Sequence, residues 1–389
     1  MIVTQLLLAV ALVSAVLASP LKTRDVASYE GNPLADRQMF PNPFYADEIK
    51  NQAIPKLSGD LAGKAAKVAE VPSFAWLDTR EKIGLMNSTL AQIRKLNQEG
   101  ANPPYAGTYV IYNLPDRDCS AKSSAGELVV ADGGLSKYQK EYIDPIAALA
   151  KEYSDVRQVF VYEPDGLANL VTNTGVAKCA SAADAYKAAT DYAFKTLNLD
   201  NVAIYVDAGH AGWLGWDANL QPTAQLFGEV FKKAGSPKAV RGLVTNVSNY
   251  NGWNLTTAPS YTSGNKQFDE SKFHAALTPF LKTAGFPANY LVDQGRSGKQ
   301  PTGQQAWGDW CNAKGAGFGT RPTAKTGIDT LDAIVWVKPG GECDGTSDSS
   351  AARYDEKCSS ASSLTPAPEA GAWFQEYFVQ LLENANPPF

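Results

Sequence analysis

The chain of 389 residues is poor in metal-binding side chains, with only two histidines, His210 and His274, and five cysteines. No two cysteines form a Cys-x-x-Cys pair, so the sequence does not favour a structural zinc site. We therefore expect the protein to work without a metal or another cofactor.

Positive charge is also scarce, since 35 Lys and Arg face 40 Asp and Glu and give a net charge of −5. This balance disfavours a nucleic-acid partner. A charged content of 19% against a hydrophobic content of 44% argues against disorder. The chain also lacks a long Ser-, Thr- or Pro-rich linker, so no appended binding module is evident. An acidic chain with eight tryptophans fits a neutral ligand better than a polyanion.

The N-terminal apolar run LLLAVALVSAVLA, at 6–18, has about the length of a signal peptide and ends in small residues, although no Lys or Arg precedes it. It is short for a membrane span of ~20 residues, which is the alternative. We predict a signal peptide over 1–18, cleaved near Ala18, and a secreted protein without a membrane anchor. Residues 19–60 are rich in Pro and Asn and are predicted to form an irregular N-terminal arm, in which 21–24 is compatible with a short pro-segment.

Secretion changes the interpretation of the cysteines, because disulfides persist in an oxidising compartment. Five cysteines then predict two disulfides and one free thiol. In that compartment the short Asn-x-Ser/Thr motifs at Asn87, Asn246 and Asn254 are candidate glycosylation sites.

Short apolar runs rich in β-branched and aromatic residues recur from about residue 70. They lie at 74–77, 108–114, 158–162, 202–206, 241–245, 289–292 and 333–337. Several are continuously apolar, which is typical of parallel strands buried on both faces. Helix-period segments at 137–153, 180–197 and 270–285 lie between some of them. This alternation predicts βαβ units in one barrel-like α/β domain over 61–389.

Carboxylates follow almost every predicted strand. They include Asp78, Asp118, Asp165, Asp207, Asp293 and Asp344. In a parallel barrel the C-terminal ends of the strands meet at one mouth, where active sites lie. For a single Asp at such a position, capping of the next helix is an equally good explanation. Several together predict a polar network in which burial and mutual repulsion raise carboxyl pKa values, as general-acid catalysis requires.

Tryptophans form the second feature of these loops. The glycine-rich loops after the strands carry Trp213, Trp216, Trp253, Trp307 and Trp310. Flat aromatic rings suit the apolar faces of sugars, although packing is the alternative for each of them. We expect packing for Trp336 and Trp373 in particular. Carboxylates and tryptophans in a secreted α/β barrel indicate a glycoside hydrolase, with linkage and stereochemistry left open.

Six longer motifs occur in order along the chain: YNLPDRDCS, VYEPDGLANLVTN, YVDAGHAGWLGW, VTNVSNYNGWN, VDQGRSGKQPTGQQAWGDWCN and VWVKPGGECDGTSD. Together they resemble glycoside hydrolase family 6 from about residue 40 to the C-terminus, and most nearly its fungal cellobiohydrolases. The resemblance implies a single distorted seven-stranded β/α barrel (TIM-like), with a cleft or tunnel at the C-terminal strand ends. It also implies a secreted, monomeric cellulase that releases cellobiose from non-reducing ends of β-1,4-glucan with inversion, whereas the lack of a linker leaves no cellulose-binding module evident.

The resemblance assigns the carboxylates. Asp165 matches the general acid, and Asp118 matches the carboxylate that raises the pKa of the acid and helps to stabilise the oxocarbenium-like transition state. Asp344 matches the residue proposed as base, although in another view the water loses its proton through a second water toward Asp118. Asp207 matches a buried aspartate for which we expect a supporting role.

Other positions carry over in the same way. Tyr112 matches the tyrosine beneath the distorted sugar, and Ser124 matches a serine that positions water. The implied disulfides are Cys119–Cys179 and Cys311–Cys358, which leaves Cys343 free. The implied substrate-binding residues are Trp76 and Trp310 on the non-reducing side, Trp213 and Trp216 on the leaving-group side, Lys338 and Glu342 near the cleavage point, and Asn249 and Trp253.

Two loops decide between exo and endo action in this family. The segments 119–134 and 338–358 are both long and resemble the tunnel-forming versions, which favours a cellobiohydrolase. An endoglucanase with open loops is the main alternative. A non-catalytic glucan-binding protein would have lost Asp165, Asp118 or Asp344, and all three are present. A two-lobed sugar-binding protein is not supported by the strand pattern.

Overall fold

All seven predicted strands are present in the computed structural model, which describes residues 25–389. A further strand of two residues precedes them. The strands are β1 Gln38–Met39, β2 Ala75–Leu77, β3 Tyr105–Ile111, β4 Gln158–Tyr162, β5 Val202–Asp207, β6 Val240–Thr245, β7 Tyr290–Asp293 and β8 Leu331–Val335. Every pairing is parallel, in the order β2-β3-β4-β5-β6-β7-β8, with β1 also beside β3.

The sheet curls until its two edge strands approach each other. The Phe74 amide, just before β2, donates to the Trp336 carbonyl at 3.0 Å, just after β8. The Trp76 indole donates to the Val337 carbonyl at 2.8 Å. These bonds join the edges without a regular strand pair, so the predicted distorted barrel is confirmed.

The burial pattern along the strands is the one typical of a parallel sheet. Every residue of β4, β5 and β7 is buried. In β4, Val159 and Val161 face the barrel interior, where side chains come almost entirely from strands, whereas Phe160 and Tyr162 face outward and pack with helices. Strands covered on both faces in this way are typical of parallel sheets.

Helices lie between most of the strands. They are α1 Pro43–Glu48, α2 Asp60–Val68, α3 Ile83–Gln98, α4 Gly134–Lys137, α5 Asp144–Glu152, α6 Gly166–Thr172, α7 Ala177–Thr196, α8 Asp217–Lys233, α9 Glu270–Ala284 and α10 Gln375–Glu383. The helix predicted over 137–153 is continuous with α4 and contains a π-helical turn, Tyr138–Ile143, before α5. Among residues 25–389, no helix is both long and apolar enough to cross a membrane.

The prediction of an irregular N-terminal arm is wrong for 43–56, which is helical. The Asn42 side chain accepts a bond from the Phe44 amide at 3.1 Å and caps α1, and Pro43 occupies the first helical position. Tyr45 and Ile49 are buried in a core shared with α10. The predicted signal peptide, its cleavage site and the 21–24 segment lie outside the described residues.

The three candidate glycosylation sites differ in exposure. Asn87 and Asn254 are exposed. Asn246 is fully buried, and its amide nitrogen donates to the Asn251 carbonyl at 3.0 Å and to the Asp293 carbonyl at 2.7 Å. The folded protein therefore cannot carry a glycan at Asn246, and that interpretation of its motif is wrong.

Candidate active site

A cavity of about 440 Å³ lies at the C-terminal ends of the strands, where the sequence predicts the site. The cavity is lined by all but three of the predicted catalytic and substrate-binding residues. Those that line it are Trp76, Tyr112, Asp118, Ser124, Asp165, Trp213, Asn249, Trp310, Lys338, Glu342 and Asp344. The loops after all seven strands from β2 to β8 contribute, so residues far apart in sequence converge on one space.

Asp165 follows β4 and is held in an unusual backbone conformation, with φ of +65°. Its amide donates to Oδ2 of Asp207 at 2.9 Å, and the Gly209 amide donates to the same oxygen at 3.1 Å. Burial, followed by the nearby charges of Asp207 and Asp118, raises the pKa of Asp165 well above its ordinary value. Burial and these two charges thus favour the protonated form of Asp165, which lies on the cavity wall.

Glu163, two residues earlier, has a different function in the same turn. It is buried, and its carboxylate accepts bonds from the Asn113 amide at 3.0 Å and from the Tyr138 hydroxyl at 2.8 Å. Burial raises the pKa of Glu163 to about 7. These bonds attach the end of β4 to the loop after β3, so Glu163 positions the turn while only Asp165 faces the cavity.

Asp118 lies on the loop after β3 and is half-buried, with φ of +57°. Its Oδ2 accepts a bond from the Ser124 backbone amide at 2.7 Å. Burial raises the pKa of Asp118, and the Ser124 amide opposes that rise. Ser124 therefore binds Asp118 through its main-chain amide and not through its side-chain hydroxyl.

Tyr112 follows β3 and lies between an aromatic ring and a cation. Trp76 packs edge-on against it at 5.3 Å between ring centroids, and the Arg117 guanidinium lies 4.4 Å from its ring. Burial and then the charge of Asp118 raise the pKa of Tyr112 well above its usual value, so the phenol stays neutral. Arg117 also donates to the Ser124 carbonyl at 2.8 Å and so links Tyr112 to the Asp118 loop.

Asp344 is bound by several donors at once. One guanidinium nitrogen of Arg296 lies 2.8 Å from both carboxylate oxygens. The Tyr250 hydroxyl and the Asn312 amide donate to Oδ2 at 2.7 and 2.9 Å. These charge-assisted and neutral hydrogen bonds hold the Asp344 side chain in one orientation at the cavity.

The polar side chains near the joined edges of the sheet form a second group of contacts. Lys338 and Glu342 pair at 3.3 Å between nitrogen and oxygen. Burial, and next the charge of Glu342, raise the pKa of Glu48 in α1 to about 8. The helix that the sequence did not predict thus lies against the Lys338–Glu342 pair.

Three predicted site residues do not line the cavity. Asp207 is fully buried and accepts the Asp165 amide, so it lies behind the acid. Trp216 is 37% exposed and packs edge-on against Trp307 at 6.3 Å. Trp253 packs against the ring of His274 at 5.1 Å, where it contacts the core rather than the cavity.

Several lining residues were not assigned to the site from the sequence. They include Phe44, Lys82, Arg117, Asn173, His210, Ser248, Trp307 and Arg353. His210 is the clearest, because its Nδ1 accepts the Gly212 amide at 3.1 Å and its proton is therefore on Nε2. Burial lowers the pKa of His210 to about 4, so the ring is neutral. Its position directly after β5 was the signal available in the sequence.

Both implied disulfides are confirmed, and they secure the two long loops. Cys119 is bonded to Cys179, and Cys311 to Cys358, with Cys343 free and buried. The loops also contact each other, since the hydroxyl of buried Ser123 lies 3.8 Å from the Cys358 sulfur. Segments 119–134 and 338–358 therefore meet beside the cavity.

Comparisons with known proteins agree with this geometry. Residues 34–385 match the model of the glycosyl hydrolases family 6. The chain is 60% identical over 364 residues to 1,4-beta-D-glucan cellobiohydrolase CEL6A of Podospora anserina. This match covers 93% of this chain and 75% of that protein. It is 59% identical to exoglucanase 2 of Hypocrea jecorina, over 93% of this chain and 77% of that protein.

Solved structures give the same result. The catalytic core domain of the cellobiohydrolase Cel6A from Chaetomium thermophilum is similar with a TM-score of 0.92 and 59% identity, over 92% of this chain and all of that one. Cellobiohydrolase II (Cel6A) from Humicola insolens, in complex with glucose and cellotetraose, is similar with a TM-score of 0.91 and 55% identity. That match covers 92% of this chain and 100% of the other.

Proposed function

The chain belongs to glycosyl hydrolases family 6, and from that membership we propose that it cuts β-1,4-glucan from non-reducing ends with inversion. It is a cellulase that releases cellobiose, as its relatives named cellobiohydrolase and exoglucanase indicate. The observation that carries the proposed mechanism is that two carboxyl groups, Asp165 and Asp118, line the same cavity, and that burial and the charges of Asp207 and Asp118 favour the protonated form of Asp165.

The bond-breaking step uses the two carboxyl groups in different states. Asp165 gives its proton to the glycosidic oxygen as the bond from that oxygen to the anomeric carbon breaks. Asp118, as an anion, stabilises the positive charge that develops on the sugar ring. Water then attacks the anomeric carbon from the opposite face and inverts its configuration. Neutral Tyr112 lies beneath the distorted sugar, and the Ser124 hydroxyl positions the attacking water.

The attacking water must also lose a proton. We favour a route through a second water to Asp118 over direct transfer to Asp344. Asp344 is already engaged by Arg296, Tyr250 and Asn312, so its function is to hold the 338–358 loop against the cavity. Asp118 has fewer donors and faces the same space.

Aromatic rings on both sides of the two carboxylates would bind the sugar chain. Trp76 and Trp310 bind sugars on the non-reducing side, and Trp213 binds those on the leaving-group side. Trp216, which lies beyond Trp307, extends the leaving-group side outside the cavity. Lys338, Glu342 and Asn249 offer hydrogen bonds to sugar hydroxyls, whereas Trp253 supports the loop from the core.

We also propose that the chain acts outside the cell as a monomer that binds neither nucleic acid nor membranes. Two disulfides support an oxidising compartment. The net charge of −5 supports a neutral substrate.

Product analysis tests the exo, inverting assignment. We expect soluble glucan and amorphous cellulose to yield mostly cellobiose, released as the α-anomer, while viscosity falls slowly for each reducing end formed. These outcomes follow from attack opposite the leaving group and from two long loops that meet beside the cavity. Release of the β-anomer would contradict inversion, and a fast fall in viscosity with mixed oligomers would contradict exo action.

Gly345 allows the two loops to meet, and its replacement should raise endo action. A Cβ at this position would lie 2.5 Å from the Ser123 hydroxyl oxygen and 2.6 Å from the Cys358 sulfur, so in Gly345→Ala either Ser123 of the 119–134 loop or the Cys311–Cys358 disulfide has to move. We expect a larger viscosity drop per reducing end and more cellotriose and longer products than the wild type gives. The readout is the ratio of viscosity loss to reducing ends on a soluble glucan.

Gly308→Ala is the matched control. Gly308 also lines the cavity, but a Cβ there meets nothing within 4 Å. Its product ratio should equal that of the wild type. If Gly345→Ala folds with an unchanged product ratio, contact between the loops does not limit endo action.

A further inference from the structure

A second cavity borders the turn that carries Asp118. It is lined by residues of the 119–134 loop, by Lys178 near the beginning of α7, and by Arg353 and Asp355 of the facing 338–358 loop. Neither Lys178 nor Asp355 faces the substrate cavity. Lys178 nevertheless contacts the Asp118 backbone, and Asp355 acts on the Asp118 carboxylate, so both can affect the reaction without touching substrate.

Lys178 holds the Asp118 turn directly. Its ammonium donates to the backbone carbonyls of Arg117 at 3.2 Å and of Asp118 at 3.3 Å. The next residue, Cys179, is bonded to Cys119, which follows Asp118. Two adjacent residues of α7 therefore attach the same turn, one through a covalent bond and one through charge-assisted hydrogen bonds.

The turn needs such support because its backbone is strained. Asp116 and Asp118 both have φ of +57°, a region that residues with a side chain seldom adopt. Carbonyls turned toward one ammonium stabilise this arrangement. Loss of Lys178 would therefore release the turn as well as remove a charge.

The charged groups around Asp118 come from several elements. Lys178 of α7 and Arg117 of the same turn favour its anion, and Asp355 of the facing loop opposes it. Asp165 interacts with Asp118 from across the substrate cavity, and Tyr112 interacts with it from the end of β3. Asp355 is fixed in place, since its side chain accepts the Lys357 amide at 3.0 Å.

We propose that Lys178 is a positioning residue for Asp118: it holds the turn that carries this carboxylate, and its ammonium and the Asp355 carboxylate of the facing loop place opposite charges on the cavity beside that turn. The proposal rests on the proposed function of Asp118 as an anion in the transition state. Lys178 and Asp355 carry opposite charges, and both lie outside the substrate cavity. They shift the pKa of Asp118 in opposite directions. That opposition separates an electrostatic role from a merely structural one.

The pH profile of kcat/KM tests the pair. Lys178→Met removes a charge that lowers the pKa of Asp118, so the acid limb should move to higher pH. Asp355→Asn removes a charge that raises this pKa, so the acid limb should move to lower pH. On the acid limb we expect Lys178→Met to lower kcat/KM roughly two- to fivefold, which is the effect of losing one partly exposed charge interaction. We expect Asp355→Asn to raise kcat/KM there by a similar factor. Lys178→Arg should restore the wild-type limb.

Lys195→Met is the control for loss of a lysine from α7. Lys195 pairs with Asp191 at 2.8 Å on the same helix, and its loss should leave the acid limb in place. The proposal would be overturned if the acid limb moved in the same direction in Lys178→Met and Asp355→Asn. It would also be overturned if these variants lost activity equally at all pH values. If Lys178→Met does not fold, the direction of the shift in Asp355→Asn decides alone. Unmoved limbs in variants that still release cellobiose would overturn the role of Lys178 and leave the proposed function standing.

Discussion

Replacement of Asp165 by Asn is expected to lower kcat on cello-oligosaccharides by about 10²–10⁴-fold, the usual contribution of a general acid. The amide is nearly isosteric but has no proton to give to the glycosidic oxygen. Binding of cellotetraose should change little, because proton transfer occurs in the transition state and not in the bound ground state. Single-turnover kinetics and calorimetric titration with cellotetraose measure the two effects separately.

Asp116→Asn provides the control for this substitution. Asp116 belongs to the neighbouring turn, also has a positive φ, and accepts a bond from the Val130 amide at 3.3 Å without lining the cavity. Its kcat should stay within a few-fold of the wild type. Near-normal turnover in Asp165→Asn would remove Asp165 from the role of acid, and equal loss of binding and turnover would indicate a role in substrate binding.

The strands could be predicted because their signal is local. Continuous runs of β-branched and aromatic residues, such as 158–162, define a buried parallel strand without reference to the rest of the chain. The carboxylates that follow them converge because parallel strands all end at one mouth. The position of the site therefore followed from the strand pattern, although the individual assignments depended on the resemblance.

Contacts between distant segments could not be predicted from the sequence. Arg296 and Asp344 pair across 48 positions, and no local pattern distinguishes Arg296 from a surface arginine. Trp253 and Trp307 both lie in glycine-rich loops, yet one packs on the core and the other lines the cavity. The helix at 43–56 was missed because its stability comes from burial against α10 and from the Asn42 cap.

The same difficulty applies to the two long loops. Their length resembles that of the tunnel-forming versions, but contact between them depends on Gly345 having no Cβ where Ser123 lies. A glycine in a loop has many explanations in a sequence. Only the packing against Ser123 and Cys358 shows which one applies here.

Asp118→Asn should lower kcat by about 10²–10³-fold, the range found when one preorganised electrostatic contact to the transition state is removed. The neutral amide keeps the size of the side chain but cannot stabilise positive charge on the sugar ring or take the proton of the attacking water. The acid limb of the pH profile, which reports ionisation of Asp118, should disappear. Because the substitution leaves the Asp165 carboxyl group in the cavity, residual turnover should remain measurable.

The basic limb provides the sharper test, because it reports a different residue. The negative charge of Asp118 helps to raise the pKa of Asp165, so its removal should lower that pKa. Asp165 would then lose its proton at lower pH, and the basic limb of kcat/KM should move toward acid. A basic limb that stays in place would mean that burial and Asp207 alone keep Asp165 protonated. In that case Asp118 acts only on the sugar and the water, and the two carboxylates are not a coupled pair.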